Sequence, residues 1–205
     1  MLDFYYAPDT CALATHIALR DAGAEFALHR IDFASEQQKS VDYLKINPKA
    51  RVPALVTEQG VLTETPAMLA YVAQSFPAAG LMPTDPWGFA QVQSFNAFLC
   101  ATLHVAHAHR MRGYRWADDP EAWTAMQRKV PEAVAACYAH IEANVFQGPF
   151  VFGATYTVAD PYLFTMAQWM EADGVVPEDF HGISAHRAMM LERETVAAAL
   201  AAESA

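Results

Sequence analysis

The chain reads as a mixed α/β unit followed by an all-helical one, and three observations predict it. Short apolar runs alternate with helical patterns through residue 76, a stretch rich in Pro and Gly follows, and from residue 88 every apolar pattern has helical spacing. The first run, "LDFYY" at residues 2–6, is apolar and aromatic and stops before Pro8, so it is a strand. From Ala12, the residues Leu13, Ile17 and Ala18 recur at helical spacing up to Gly23, a C-terminal stop. "EFALHRID" is a second strand, and "VDYLKIN" a short helix ended by Pro48. "VPALV" and "GVLT" are two further strands joined by the turn residues "TEQG". "ETPAMLAYVAQSF" is a helix with Pro66 in its first turn, where a missing N–H does no harm. The strand–helix–strand units predict parallel pairing, and the short strand–strand link predicts a hairpin.

"PAAGLMPTDPW", residues 77–87, holds three prolines and a glycine and reads as a link. The expected organisation is therefore a first unit at 1–77, a linker at 78–87 and a helical unit at 88–205. In the helical unit, Phe89, Val92, Leu99, Leu103 and Ala106 fall near one stripe. "DDPEAWTAMQRKVPEAVAACYAHIEANVF" is a second long helix that starts at Pro120 and is expected to kink at Pro131. "YTVADPYLFTMAQWM" opens with Thr157-x-x-Asp160, which has the form of a capping box. The alanine-rich "ETVAAALAAES" is a final helix expected to fray.

With 54% hydrophobic and 18% charged residues, the composition is that of a globular protein with a substantial core. A formal net charge of -10 argues against a protein that grips a nucleic-acid backbone, although Arg110, Arg112 and Arg115 do cluster. No apolar run approaches the ~18 residues of a membrane span, and "MLDFYYAPD" lacks the pattern of a signal peptide. Cys11, Cys100 and Cys137 are odd in number and far apart, so the expectation is free thiols in a reducing, cytoplasmic setting.

Three stretches can carry chemistry. Cys11 opens a helix, where unpaired N–H donors and the helix dipole favour a thiolate; a buried, inert cysteine is the alternative. Moving its pKa from about 8.5 to about 6.5 needs roughly 2.7 kcal/mol, more than one helix end supplies, and Tyr6 is the candidate for an added hydrogen bond. In "KARVPALV", a cis Val52–Pro53 bond would leave the Val52 backbone free to pair with a peptide-like ligand; an ordinary edge-strand proline is the alternative. In "LTETPAM", Glu64 suits an ammonium group, and Thr65 at a helix start suits a carboxylate, unless Thr65 merely caps its helix. Cys100, His104 and His107 share a helix face with Asn96, which suggests either a zinc site lacking a fourth ligand or a polar stripe lining a cleft. His109 is expected to be solvated.

These stretches, in this order, resemble the thioredoxin-like domain of glutathione transferases. The helical second half and "TVADPYLF" extend the resemblance over nearly the whole chain. "FYYAPDTCALATHIALRDAG", "YLKINPKARVPALV" and "VLTETPAMLAYVAQSFP" are similar to the bacterial beta class. The resemblance implies a thioredoxin-like N-terminal domain joined to an all-α domain. It also implies glutathione as co-substrate, no metal, an apolar electrophile, a homodimer, and no nucleic-acid or membrane partner.

It implies that Glu64 and Thr65 hold the γ-glutamyl group, that Val52 before Pro53 pairs with the cysteinyl backbone, and that the sulfur lies beside Cys11 and Tyr6. His104 matches a histidine that reaches this site from the helical half. Ala12 stands where the pattern has Ser, and Val105 where it has Lys; Arg51, Arg110, Arg112 or Arg115 are candidates to replace that charge. Tyr114, Trp116 and Trp169 are the candidate wall of the electrophile pocket. Two rival readings are a glutathione-dependent thiol–disulfide oxidoreductase using Cys11, and a non-catalytic protein that binds glutathione and apolar ligands.

Overall fold

In the computed structural model, which describes residues 1–204, four strands form one sheet in the order β2-β1-β3-β4. β1 (Leu2–Tyr6) leads into α1 (Ala12–Asp21), β2 (Phe26–Arg30) and α2 (Val41–Ile46). Then come β3 (Ala54–Thr57), β4 (Gly60–Thr63) and α3 (Thr65–Ser75). Gly23 lets the chain leave α1, because its φ of +65° is strained for any residue with a Cβ. β1 and β2 pair in parallel, from Leu2 opposite Phe26 to Tyr6 opposite Arg30. β3 and β4 form the expected hairpin. The expectation of parallel pairing fails for the second strand–helix–strand unit. β3 lies antiparallel to β1, with Tyr5 opposite Ala54, because the chain crosses the sheet and re-enters from its other end.

The helical half comprises α4 (Pro86–Phe98), α5 (His104–Ala108), α6 (Pro120–Asn144), α7 (Ala159–Ala167), α8 (His181–Leu191) and α9 (Glu194–Ser204). A π-turn over Leu99–Leu103 joins α4 to α5, where the sequence suggests one uninterrupted helix. Val92, Leu99, Leu103 and Ala106 are buried as the stripe requires. The π-turn widens the helix by one residue and so resets the angular relation of Cys100 to His104 and His107. Among the described residues, no helix is long and apolar enough to cross a membrane.

In the stretch 77–87, Leu81 is buried and its carbonyl accepts from the Val158 amide at 2.9 Å. One expectation is corrected: the last helix does not fray. Val196, Ala199 and Glu203 of α9 are buried, and α9 packs on α1. Glu203 Oε1 lies 2.9 Å from Nδ1 of the buried His16, whose Nε2 accepts from Arg20 Nε at 3.0 Å. The tautomer satisfying both contacts has its proton on Nδ1, donating to Glu203. A buried ion-capable pair thus anchors a sequence whose alanines alone give no reason to dock.

Candidate functional site at the interdomain cleft

The sheet register brings the candidate residues to one end. β1 runs toward Cys11, β3 starts just after Val52, and β4 ends just before Glu64; because β3 is antiparallel to both neighbours, these three chain points share one end of the sheet. The Val52–Pro53 bond is cis. Among the described residues, nothing hydrogen-bonds to the Val52 backbone. The preceding loop is held firmly: the Arg51 carbonyl accepts from the Tyr43 hydroxyl and from Asn47 Nδ2, each at 2.6 Å.

Cys11 does not have the environment the sequence suggests. The amides that open α1 are already used: Ala12 N donates to Thr10 Oγ1, Leu13 N to the Thr10 carbonyl and Ala14 N to the Cys11 carbonyl. Burial pushes the Cys11 thiol up to about 11, against smaller lowering effects from the Thr65 hydroxyl and the Arg112 charge. The expectation of a ready thiolate is therefore corrected, because desolvation outweighs one helix end. At pH 7 only about one molecule in 10⁴ carries the Cys11 thiolate. Alkylation of Cys11 by iodoacetamide, followed by peptide mass spectrometry, is expected to rise about tenfold per pH unit from pH 7 to beyond pH 9. A plateau already reached below pH 8 would refute this.

Tyr6 is also corrected. It is 4% exposed and shares the Phe4 face of β1, with the two rings stacked at 6.4 Å. Its hydroxyl donates to the Ala202 carbonyl of α9 at 3.3 Å. Tyr6 therefore helps dock the C-terminal helix and is spent before it can reach a sulfur near Cys11.

Thr65 is buried at the start of α3, and its hydroxyl favours the Cys11 thiolate without offsetting the effect of burial. Glu64, the residue before it, is exposed and held at φ 73°, a left-handed conformation that costs a non-glycine residue of order 1–3 kcal/mol. Its carboxylate pairs with Lys49, whose ammonium also contacts Thr63 Oγ1 at 2.6 Å. Lys49 is a contact the sequence did not suggest.

In the helical half, the His104 ring centroid lies 5.4 Å from that of Trp169. Burial lowers its pKa to about 4, assisted by His107 and by the positive charges of Arg112, Arg115 and Arg51. Its imidazole is thus neutral. His107 is tied elsewhere: its Nδ1 meets buried Asp173, and its Nε2 accepts from the Tyr138 hydroxyl at 3.3 Å. Asp173 also takes Arg110 Nε at 2.8 Å, which removes Arg110 from the list of charges free to face the cleft. Burial pushes the Cys100 thiol up, against a smaller lowering effect from the Tyr162 hydroxyl. With these commitments, the sequence-level option of zinc on Cys100, His104 and His107 has no geometry behind it. Among the described residues, no three His, Cys, Asp or Glu side chains are placed to hold a metal ion.

The candidate pocket wall divides. Trp169 sits between the rings of His104 and His107, at 5.4 and 5.2 Å. Tyr114 is 57% exposed in the turn Gly113–Arg115. Trp116 is 46% exposed with its ring edge-on to His109 at 4.5 Å, so His109 is an aromatic partner rather than a solvated side chain. Nothing joins Trp116 to His104 or Trp169 in this arrangement. Ala12 is fully buried, so its methyl packs where a hydroxyl would need a partner. Val105 is half-buried on α5. Two concavities, of about 520 and 390 Å³, lie beside β2 and α9 and include none of these residues.

Asp173 and Tyr162 escaped the sequence reading. Asp173 sits in a short turn over Glu171–Asp173 with no periodic signature, and Tyr162 reads as one more apolar residue of α7.

Comparison with known proteins agrees with this geometry. Residues 2–74 match the family model described as Glutathione S-transferase, N-terminal domain. The chain is 32% identical to a glutathione S-transferase of Xanthomonas campestris pv. campestris, with 98% of each chain covered. It is similar in structure to a glutathione transferase homolog from Sulfitobacter with bound glutathione: TM-score 0.94, 45% identity, covering 97% of this chain and 96% of the other. A bacterial beta class glutathione S-transferase of Sphingomonas chungbukensis superposes with TM-score 0.85 at 31% identity, covering 98% of each chain. The four-stranded sheet followed by a helical half belongs with these relatives: the chain is a member of the glutathione transferase family.

Proposed function

We propose that this transferase binds glutathione along the Val52 edge and presents its thiolate to an apolar electrophile bounded by Trp169 and the turn around Tyr114. The observation that carries the reading is the Val52 backbone, unpaired among the described residues and followed by a cis proline, at the sheet end from which α1 and α3 also start. In this reading, Val52 pairs with the tripeptide backbone, the start of α3 takes the γ-glutamyl carboxylate, and Glu64 takes the ammonium. Cys11, protonated at neutral pH, donates its S–H toward the glutathione sulfur alongside Thr65, and the Arg112 charge favours the thiolate there. Neutral His104 lines the other side. Proximity and ground-state thiolate formation supply the rate.

The raised Cys11 pKa weighs against thiol–disulfide exchange as the main activity at neutral pH. Three unpaired cysteines suit a reducing cytoplasm, and the family suggests a homodimer, which sedimentation would test. The direct test is Glu64→Gln. A charge-assisted hydrogen bond is worth about 1.5–3 kcal/mol, so the KM for glutathione in conjugation to an aryl halide is expected to rise about 10- to 100-fold. An unchanged KM removes Glu64 from the site. Tight glutathione binding with no turnover on any electrophile makes the protein a binder instead.

A further inference from the structure

Each lysine of this chain meets a carboxylate, but one pair differs from the rest. Lys39–Glu36, Lys45–Asp42 and Lys129–Glu132 join residues three apart, whereas Lys49–Glu64 joins residues fifteen apart. Lys49 lies in the turn before β3 and Glu64 follows β4. The pair therefore crosses the end of the sheet where Ala54 lies opposite Thr63, between Val52 and Thr65. The Thr63 hydroxyl accepts from the same ammonium at 2.6 Å, which fixes the Lys49 side chain at two points.

The turn that carries Lys49 is held by buried Asn47. Asn47 Oδ1 accepts from the Lys49 amide at 3.2 Å, its carbonyl accepts from the Ala50 amide at 3.0 Å, and its Nδ2 donates to the Arg51 carbonyl at 2.6 Å. Lys49 and Glu64 are nonetheless 44% and 58% exposed, and an ion pair that open to water adds little to stability. A rigid turn thus holds a cation in place while leaving both charges within reach of a ligand.

Lys49 meets Oε1 of Glu64. A carboxylate has about four lone-pair sites, so a second ammonium fits on Oε2. Two ammonium groups on one carboxylate repel each other. An amino-acid head group removes that repulsion, because its α-carboxylate stands one carbon from its ammonium and brings a negative charge back to Lys49. The four charges then alternate around the head.

We infer that Lys49 is a further member of the head-group site, pairing with the α-carboxylate of the γ-glutamyl residue while Glu64 takes its ammonium. The inference rests on the glutathione reading and adds to it a residue and a charge rule: the site selects a zwitterion and discriminates against a bare amine.

Glutathione and 4-aminobutyryl-cysteinylglycine, which lacks only the γ-glutamyl carboxylate, test the rule by calorimetric titration into the full-length protein. Lys49→Gln is expected to weaken glutathione about fivefold and to leave the analogue unchanged or tighter. Lys49→Arg, which keeps the charge, is expected to retain most of the wild-type preference for glutathione. That preference should also shrink as salt rises from about 0.02 M to about 0.5 M. If Lys49→Gln weakens both ligands equally, Lys49 only steadies Glu64 and the carboxylate contact is overturned. If it tightens glutathione, Lys49 competes with the ligand for Glu64 and the inference is wrong. If it changes neither affinity, Lys49 has no part in the site, while the glutathione reading stands. If the wild type binds neither compound, the glutathione reading fails and takes the inference with it.

Discussion

Asp160→Ala is expected to destabilise the protein by about 4 kcal/mol, within the 3–5 kcal/mol typical of removing one partner from a buried charged network. Asp160 is fully buried at the start of α7. Its Oδ1 accepts from the Val151 amide at 2.8 Å and from His186 Nε2 at 3.1 Å. Its Oδ2 accepts from the Thr157 amide at 2.7 Å, with the Thr157 hydroxyl at 3.4 Å. One carboxylate thus ties the start of α7 to the preceding loop and to α8. Alanine would strand two backbone donors and a ring N–H away from water, each costing about 1–3 kcal/mol.

Against a total stability of about 5–15 kcal/mol, a 4 kcal/mol loss should lower the melting temperature by about 10 °C. Asp160→Asn keeps an acceptor and should cost less. Denaturant unfolding measures both, and a loss below about 1 kcal/mol for the alanine variant would show that the network is replaceable. The consequence reaches function, because α7 packs on α1, which Cys11 opens.

Acid is expected to destabilise the wild type more than His104→Gln. In the folded protein the His104 pKa is lowered to about 4 by burial and nearby positive charge, while the unfolded chain returns it to about 6.5. Between these values the unfolded state binds the extra proton, so stability rises with pH through this window. Equivalently, the contribution is complete above about pH 6.5 and is lost as pH falls to about 4, where it amounts to about 3 kcal/mol. The other histidines and the carboxylates contribute to both proteins and cancel in the comparison. The stability difference between wild type and variant should therefore shift by about 3 kcal/mol from pH 7 to pH 4, in favour of the variant at low pH. Parallel stability curves would mean that His104 is already solvated.

The legible parts of the site were those with local chemical signatures. Val52–Pro53 and Glu64–Thr65 stand out because proline at a strand start and an acid–hydroxyl pair at a helix start each constrain the backbone locally. Thr157-x-x-Asp160 was legible as a cap, but its second role as partner to Val151 and His186 was not, since those contacts join distant segments. Tyr6 was misread although the strand period held the answer: it alternates with Tyr5 and faces the core with Phe4, whereas Tyr5 stacks on His29. The π-turn at Leu99–Leu103 carried no signal, because an added residue in a helix leaves apolar spacing almost unchanged.

The sequence by itself determined the order of strands and helices, the turns that end them and the residue types available at the cleft, since these follow from periodicity and from backbone restrictions of single residues. Tertiary structure alone decided that burial pushes the Cys11 thiol up, that Tyr6 and Glu203 serve the docking of α9, and that Arg110 pairs with Asp173. The reason is physical: desolvation and charge pairing depend on which distant segments exclude water from a group or bring a partner to it, and neither is written in local spacing.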